Sequence, residues 1–437
     1  MPLCLEPDTF LPMSHALPPA CCRPCNRHLS QIPQRQTCVE AEPHVWWLLS
    51  VPHTAAPPSR VHARALEALV RRAAALYRVA HGRVQVLADA ADAGGGVAAF
   101  VPLQAFVRAY VAVLCRRRCA ALGAAVHPLS AAGSGLASPA PLDHAASLLA
   151  ASLLGCLESL CGDAAVARGA LLFGGRVLAA SVDATDLAPI VELLRNAGVS
   201  EAEDGNPSRS GFFFSEGGAS NDADAATVPH SLSSAPWRVG RDGAVRAYVG
   251  AARAPAPPAV WLEDGVRRSE MLALRCEGVL IVLLLREGVR AEPLYATVLE
   301  AVGPRCGALA RAAASAIVAT NGGHLPGYRF ACMDADAMEA AGTPTSKLRT
   351  LAPESVAAAA VLRSAAEDAA ARGDCDRRQL PFEVWGSSSL DVCALSRVAA
   401  GGKQTLHCVV EGAPPDLGKL PSQMGAFCVG SLLRSDA

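Results

Sequence analysis

Residues 169–195, GALLFGGRVLAASVDATDLAPIVELLR, place the tightest limits on what this chain folds into. A short apolar run at 170–173 meets Gly174-Gly175, a second strand-like run follows at 176–181, and an acidic stretch at 183–186 opens an amphipathic pattern. Two adjacent glycines supply the φ > 0 geometry that both central residues of a two-residue hairpin require. Asp183 or Thr185 can cap the helix start, and Pro189 is tolerated in the first turn. The segment therefore predicts strand, tight turn, strand, helix. Taken alone, it describes any hairpin packed on a helix.

The same reading extends along the chain. A buried strand is expected at 45–51 (VWWLLSV), ended by Pro52, with ordered sequence beginning at His44. Residues 62–81 place Leu66, Leu69, Val70, Ala73, Leu76, Tyr77 and Ala80 on one helical face. Arg64, Arg71, Arg72 and Arg78 lie mostly off that stripe, as a basic face that meets solvent or acidic lipid. Gly82 is placed to end this helix. After Gly94-Gly95-Gly96, a second helix carries Leu103, Phe106, Val107, Tyr110 and Leu114, and Arg116-Arg117-Arg118 suits the negative end of its dipole. Residues 128–141 read as a Pro/Ser/Gly linker and 142–161 as an Ala/Leu-rich helix. Residues 198–236 read as a disordered insertion, rich in Ser, Gly, Asn and Asp, with Phe212 to Phe214 standing out. Strands are expected near 244–249, 259–262, 270–276 and 278–285, then a long helix at 292–320. A last unit follows, with a strand at 328–333, a helix at 353–371 and strands at 381–385, 390–398 and 404–411.

At 437 residues the chain suits about two to four domains. Its hydrophobic content of 51% is inflated by alanine. The most apolar run, Val279–Leu285, is far short of the roughly 20 residues that span a bilayer, so it reads as a buried strand. A formal charge of −1 gives no electrostatic footprint for nucleic acid. Eight of the 16 cysteines, Cys115, Cys119, Cys156, Cys161, Cys276, Cys306, Cys393 and Cys408, lie singly within apolar patterns, where cysteine acts as a small hydrophobe. The early Glu6 and Asp8, with no continuous apolar run, give no secretory signal, and a reducing, cytosolic setting follows. Residues 1–41 form a disordered Cys/Pro-rich leader in this reading. Its Cys21, Cys22, Cys25, His28 and Cys38 lack a second well-spaced ligand pair, so no metal site is expected.

Enzyme motifs are not evident. Gly133-Ser134-Gly135 is no nucleophile elbow. Gly94-Gly95-Gly96 is followed by no Gly-Lys-Ser/Thr. His324 fits a helix-stop loop, and Asp334 with Asp336 fits a strand-end turn better than a carboxylate pair. None has partners at catalytic spacing.

Strand, tight turn, strand and helix is also how a longin-type domain begins, a small α/β unit that binds Rab GTPases. Several segments, in this order, resemble the Ccz-type subunit of the Mon–Ccz complex: EPHVWWLLSV (42–51), ALYRVAHG (75–82), LLFGGRVLAASVDATDL, PAVWLEDG (258–265), EGVLIVLLL (277–285), AVGPRCGALA (301–310) and FEVWGSSSLDVCALSRVAAGGKQTLHCVVEG. The resemblance covers about 42–420. It departs at Ala179, where the family has Trp, and at Ser181-Val182-Asp183-Ala184, where the family has Gly-Leu-Glu-Gln. The family also has two strands and a helix upstream of the Trp-bearing strand.

The resemblance implies an α/β fold of three longin-like domains, with antiparallel sheets flanked by helices: 42–127, truncated at its N-terminal side; 140–325, carrying the insertion; and 326–437. It implies a subunit of a heterodimeric guanine-nucleotide exchange factor, not an enzyme and without cofactor. Its partners would be a Mon-type longin protein, a late-endosomal Rab GTPase and an anionic or phosphoinositide membrane surface. Such a protein is cytoplasmic and recruited peripherally to the late endosome or vacuole, where it acts in vesicle transport and fusion. An exchange factor works by differential affinity for the nucleotide-free GTPase, displacing its switch segments and magnesium. The alternatives are a subunit of a Hermansky–Pudlak-type exchange complex and a non-catalytic trafficking or planar-polarity scaffold. Trp46 and Trp47 alternate on one strand, so one faces the helices and the other the opposite side. Both are candidate partner-binding residues.

Overall fold

The computed structural model describes residues 34–52, 63–90, 100–115, 127–129, 139–199, 237–319, 327–371 and 382–411, apart from short stretches within these ranges. The zinc candidates Cys21, Cys22, Cys25 and His28, the Gly133-Ser134-Gly135 motif, the arginine run 116–118, His324 and Phe212 to Phe214 lie outside the described residues.

The first unit begins earlier than expected. β1 (Gln34–Glu42) pairs antiparallel with β2 (Val45–Pro52), so residues 34–41 of the expected leader belong to the fold. Among the described side chains of β1, Val39 is the only buried apolar one, between the exposed Cys38 and Glu40. A strand with one buried apolar residue gives almost no alternation to read. Three helices follow: α1 (Ala63–His81), α2 (Val84–Ala90) and α3 (Val101–Cys115). Gly82 ends α1 with φ +87°, and its N–H donates to the Arg78 carbonyl at 2.8 Å. A Cβ there would meet the Trp261 ring at 3.2 Å, so the position suits glycine twice over.

The second unit holds α4 (His144–Cys161), the hairpin β3 (Val166–Phe173) and β4 (Arg176–Ala180), and α5 (Ala184–Asn196). Gly174 and Gly175 turn the hairpin at φ +56° and +75°. The Asp183 carbonyl accepts from the Asp186 and Leu187 N–H groups at 3.0 and 2.9 Å, opening α5. Pro189 therefore falls inside the helix, beyond its first turn. Val199 is fully buried against this unit, so the expected insertion starts after it, and 200–236 lie outside the described residues. A small sheet of β5 (Trp237–Val239), β6 (Val245–Val249) and β7 (Ala254–Ala256) comes next. The meander β8 (Ala259–Leu262), β9 (Arg267–Cys276) and β10 (Val279–Leu285) and the helix α6 (Leu294–Ala319) complete the unit. The five strands lie in the order β4-β3-β10-β9-β8, all antiparallel.

β10 is buried along its whole length. Leu280, Val282 and Leu284 pack with α1, α3 and α5, including Leu66, Leu76, Phe106 and Ile190. Val279, Ile281, Leu283 and Leu285 pack with α4 and α6, including Leu153, Leu157, Val298 and Leu309. Period-two alternation thus serves two cores at once. Among the described residues only α4 is long and apolar enough to cross a membrane, and its Ala146, Ala150, Leu153, Leu154 and Leu157 are buried.

The third unit repeats the arrangement. β11 (Tyr328–Asp334) and β12 (Glu339–Gly342) are followed by the short α7 (Thr345–Leu348) and by α8 (Pro353–Ala371). The meander β13 (Phe382–Ser387), β14 (Val392–Val398) and β15 (Gln404–Glu411) then gives the order β12-β11-β15-β14-β13. Both five-stranded sheets pair the first strand of the opening hairpin with the last strand of the meander. Asp334 is the last residue of β11, paired with Glu339 and Gln404 at the end of both ladders, and Asp336 lies outside the described residues.

Besides the shared apolar cluster, two contacts among the described residues tie the units together. Arg72 on α1 forms a largely buried ion pair with Glu192 on α5. Burial alone would lower the Arg72 pKa, but Glu192 and Tyr110 beside it hold it above its ordinary value. This corrects the reading of Arg72 as part of a solvated basic face. The second contact comes from the expected linker. Leu129 is fully buried among Leu348, Leu351, Val356 and Leu362 of the third unit, so 127–129 are anchored.

Replacing Arg72 by Ala leaves Glu192 buried without its cation. The expected loss is roughly 2–4 kcal/mol, read from urea unfolding, and a cost below about 0.5 kcal/mol would show that the pair does not join the units. His127 gives a second expectation. Burial, and then the charge of Arg363, hold its imidazole down at about 4. The unfolded chain, at about 6.5, takes up this proton first, so the contribution is intact above that pH and lost as pH falls toward 4. Thermal melts at pH 7 and pH 4.5 should differ less in His127→Asn than in wild type. Equal pH slopes would remove His127 from the account.

Candidate functional site

The outer face of the β1–β2 hairpin is the candidate site. Its turn is set by Pro43 and by His44, which adopts φ +68° and donates its N–H to Glu40 Oε1 at 3.0 Å. A register shift between Glu40 and Glu42 turns the Glu42 side chain inward. Its carboxylate accepts from the Val84 and Gln85 N–H groups, each at 3.1 Å. These are first-turn donors of α2, so the carboxylate satisfies groups the helix leaves unbonded. The hairpin is thereby pinned at its turn to the helical layer.

β2 then divides its two tryptophans. Trp47 faces inward, its ring centroid 6.1 Å from Tyr77 and 6.5 Å from Phe106. His81 stacks on Tyr77 at 4.9 Å and Tyr110 on Phe106 at 5.9 Å, making a five-ring cluster over α1 and α3. Burial, with Glu42 nearby, raises the Tyr77 pKa. Trp46 faces outward, 57% exposed, and Leu48 two residues on is 55% exposed. Opposite them on β1 stand Glu40 and Cys38, both exposed. Trp46 and Leu48 form an apolar pair on a sheet of two strands, and among the described residues no element packs over it. Such a face on a rigid support fits a protein partner.

Sequence reasoning singled out both tryptophans for this face, missed Leu48 and Glu40, and placed Cys38 only among the metal candidates. Leu48 was legible, two residues from Trp46 on a strand; Cys38 and Glu40 were not, because β1 itself was not expected. The basic face of α1 is reduced in the structure. Arg72 is in its buried pair, Arg78 donates to the Ala41 carbonyl at 3.3 Å, and Arg71 pairs with Glu67 at 2.6 Å.

Two other groupings have chemical potential. Ser396 and His407 share a hydrogen bond across β14 and β15, as a nucleophile and base would, but each is only 1% exposed. No substrate reaches them there. Cys276 and Cys306 are in hydrogen-bonding contact under α6, and burial first, then Cys276, push the Cys306 thiol up to about 12. Thiols held protonated in this way are poor nucleophiles. Among the described residues no group of three or more His, Cys, Asp or Glu is placed to hold a metal ion. No family model and no curated protein matches the sequence.

The two tryptophans should behave oppositely. Trp47→Ala opens the aromatic cluster and is expected to cost roughly 3 kcal/mol or more. Trp46→Ala should shift stability by no more than about 0.5 kcal/mol. Denaturant titrations of the two variants check this, and an equally destabilised Trp46→Ala would mean that its ring is covered.

Proposed function

We propose that this chain is a Ccz-like subunit of a heterodimeric guanine-nucleotide exchange factor for a late-endosomal Rab GTPase. In this reading it holds three longin-like units. The observation that carries the reading is the repeated order of the two five-stranded sheets, each opened by a hairpin and a helix. The first unit adds support. α1 leans on β1 more than on β2, as α6 leans on β9 more than on β10. Its hairpin and helix therefore correspond to the end of a unit.

β10 and β15 each have a second neighbour, β3 and β11, whereas β2 among the described residues pairs with β1 alone. Among the described residues the first unit thus offers both a sheet of only two strands and the exposed pair Trp46 and Leu48. A Mon-type partner would extend the first and cover the second. Exchange on the Rab then needs no catalytic residue from this chain, only a rigid surface that favours the nucleotide-free state.

Purified alone, the chain should release labelled GDP from the Rab little faster than the spontaneous rate. Mixed with a Mon-type partner, it should accelerate release. Full exchange by the single chain, or hydrolysis of GTP by it, would overturn the reading. Trp46→Ala should weaken partner binding by roughly 2 kcal/mol, about thirtyfold in Kd. If calorimetry finds the affinity unchanged, the interface lies elsewhere.

A further inference from the structure

His127, Pro128 and Leu129 are separated by more than two hundred residues from the helix they touch. Leu129 is a knob, fully buried between α7, α8 and the sheet, with Leu348, Leu351, Val356, Ala359 and Leu362 around it. Arg363, itself buried, donates from Nη1 to the Pro128 carbonyl at 2.6 Å. Glu367 Oε1 accepts from Arg363 Nε at 2.7 Å and so aims the guanidinium. The Leu129 N–H donates to His127 Nδ1 at 3.1 Å, closing a local turn that projects the leucine. The Glu367 Oε2 atom is buried without a hydrogen-bond partner, so the carboxylate's bonding is directed to Arg363 alone among the described residues.

The binding elements are therefore few and local. One side is an apolar pocket beside a fixed cationic donor. The other is a leucine directly after a proline carbonyl. Any chain can present that pair, and proline fixes the φ of the residue whose carbonyl accepts the hydrogen bond. We propose that the third unit holds a short-peptide groove, occupied in cis by His127–Leu129, that accepts a proline–leucine segment of another protein in exchange. The tether favours the internal segment through its high effective concentration, so exchange needs either a tighter segment or a weakened latch. This inference rests on the third unit's geometry and not on the exchange-factor reading.

The test uses the full chain and a fluorescent peptide of residues 123–133, GAAVHPLSAAG. In Leu129→Asp the internal knob carries a charge and leaves the pocket. The peptide should bind this variant at least about tenfold more tightly than wild type, read by fluorescence anisotropy. A peptide with its leucine replaced by aspartate should not bind. Adding Arg363→Gln should weaken binding about tenfold, the effect of losing one charge-assisted hydrogen bond. No binding to a folded Leu129→Asp chain, or equal binding to it and to wild type, overturns the proposal. If Leu129→Asp lacks a cooperative melt, Leu129→Ala carries the same comparison. Loss of the melt in both variants would make the segment an obligate part of the core and refute exchange.

Discussion

β10 is the strand on which the middle of this molecule depends. Its seven side chains divide between two hydrophobic clusters, and it pairs with β3 on one edge and β9 on the other. Fully burying a Val, Leu or Ile side chain contributes about 1.5–3 kcal/mol. A strand committed on both faces and both edges has no alternative register, because a slip of one residue would exchange the two cores. The helices above and below are placed by what this strand leaves to cover.

The first unit is held by the same logic. α1 puts Leu66, Leu69 and Leu76 into the cluster shared with β10, and Arg72 reaches Glu192 on α5. Gly82 lets the chain turn against Trp261. Docking the helix in this way uses the inner face of the β1–β2 hairpin, through Val39, Val51 and Trp47, and leaves the outer face to Trp46 and Leu48. The exposed pair is thus a consequence of how the helix is anchored.

How much of this was legible in the sequence follows from how much each segment repeats its own pattern. Gly174-Gly175 specified a hairpin because two positive φ angles in a row are a glycine signature. VLIVLLL was readable as a buried strand, α1 by its apolar spacing and α4 by its Ala/Leu richness. β1 was hidden because Val39 is its one buried apolar residue among the described side chains. β12, with the sequence EAAG, was hidden because alanine and glycine are weak strand formers. Leu129 was unreadable for a different reason. A single leucine in a Pro/Ser/Gly stretch has no local partner, and its pocket lies more than two hundred residues away. Likewise Trp46 and Trp47 were legible as a pair of opposite faces, but only the aromatic rings of α1 and α3 decide which one turns inward.

That decision also sets what the outer face can do energetically. A two-stranded sheet is marginally stable alone, and a docking surface on such a support would lose much of its binding free energy in becoming ordered. Here the inner tryptophan is fixed in a five-ring cluster, and the turn is bonded through Glu42 to the start of α2. Trp46 is therefore presented on a backbone that is already ordered, and a partner covering it need immobilise little more than the side chain. Large rigid aromatic surface carried on a fixed strand is what makes a hot spot out of a residue that adds little to the stability of its own chain.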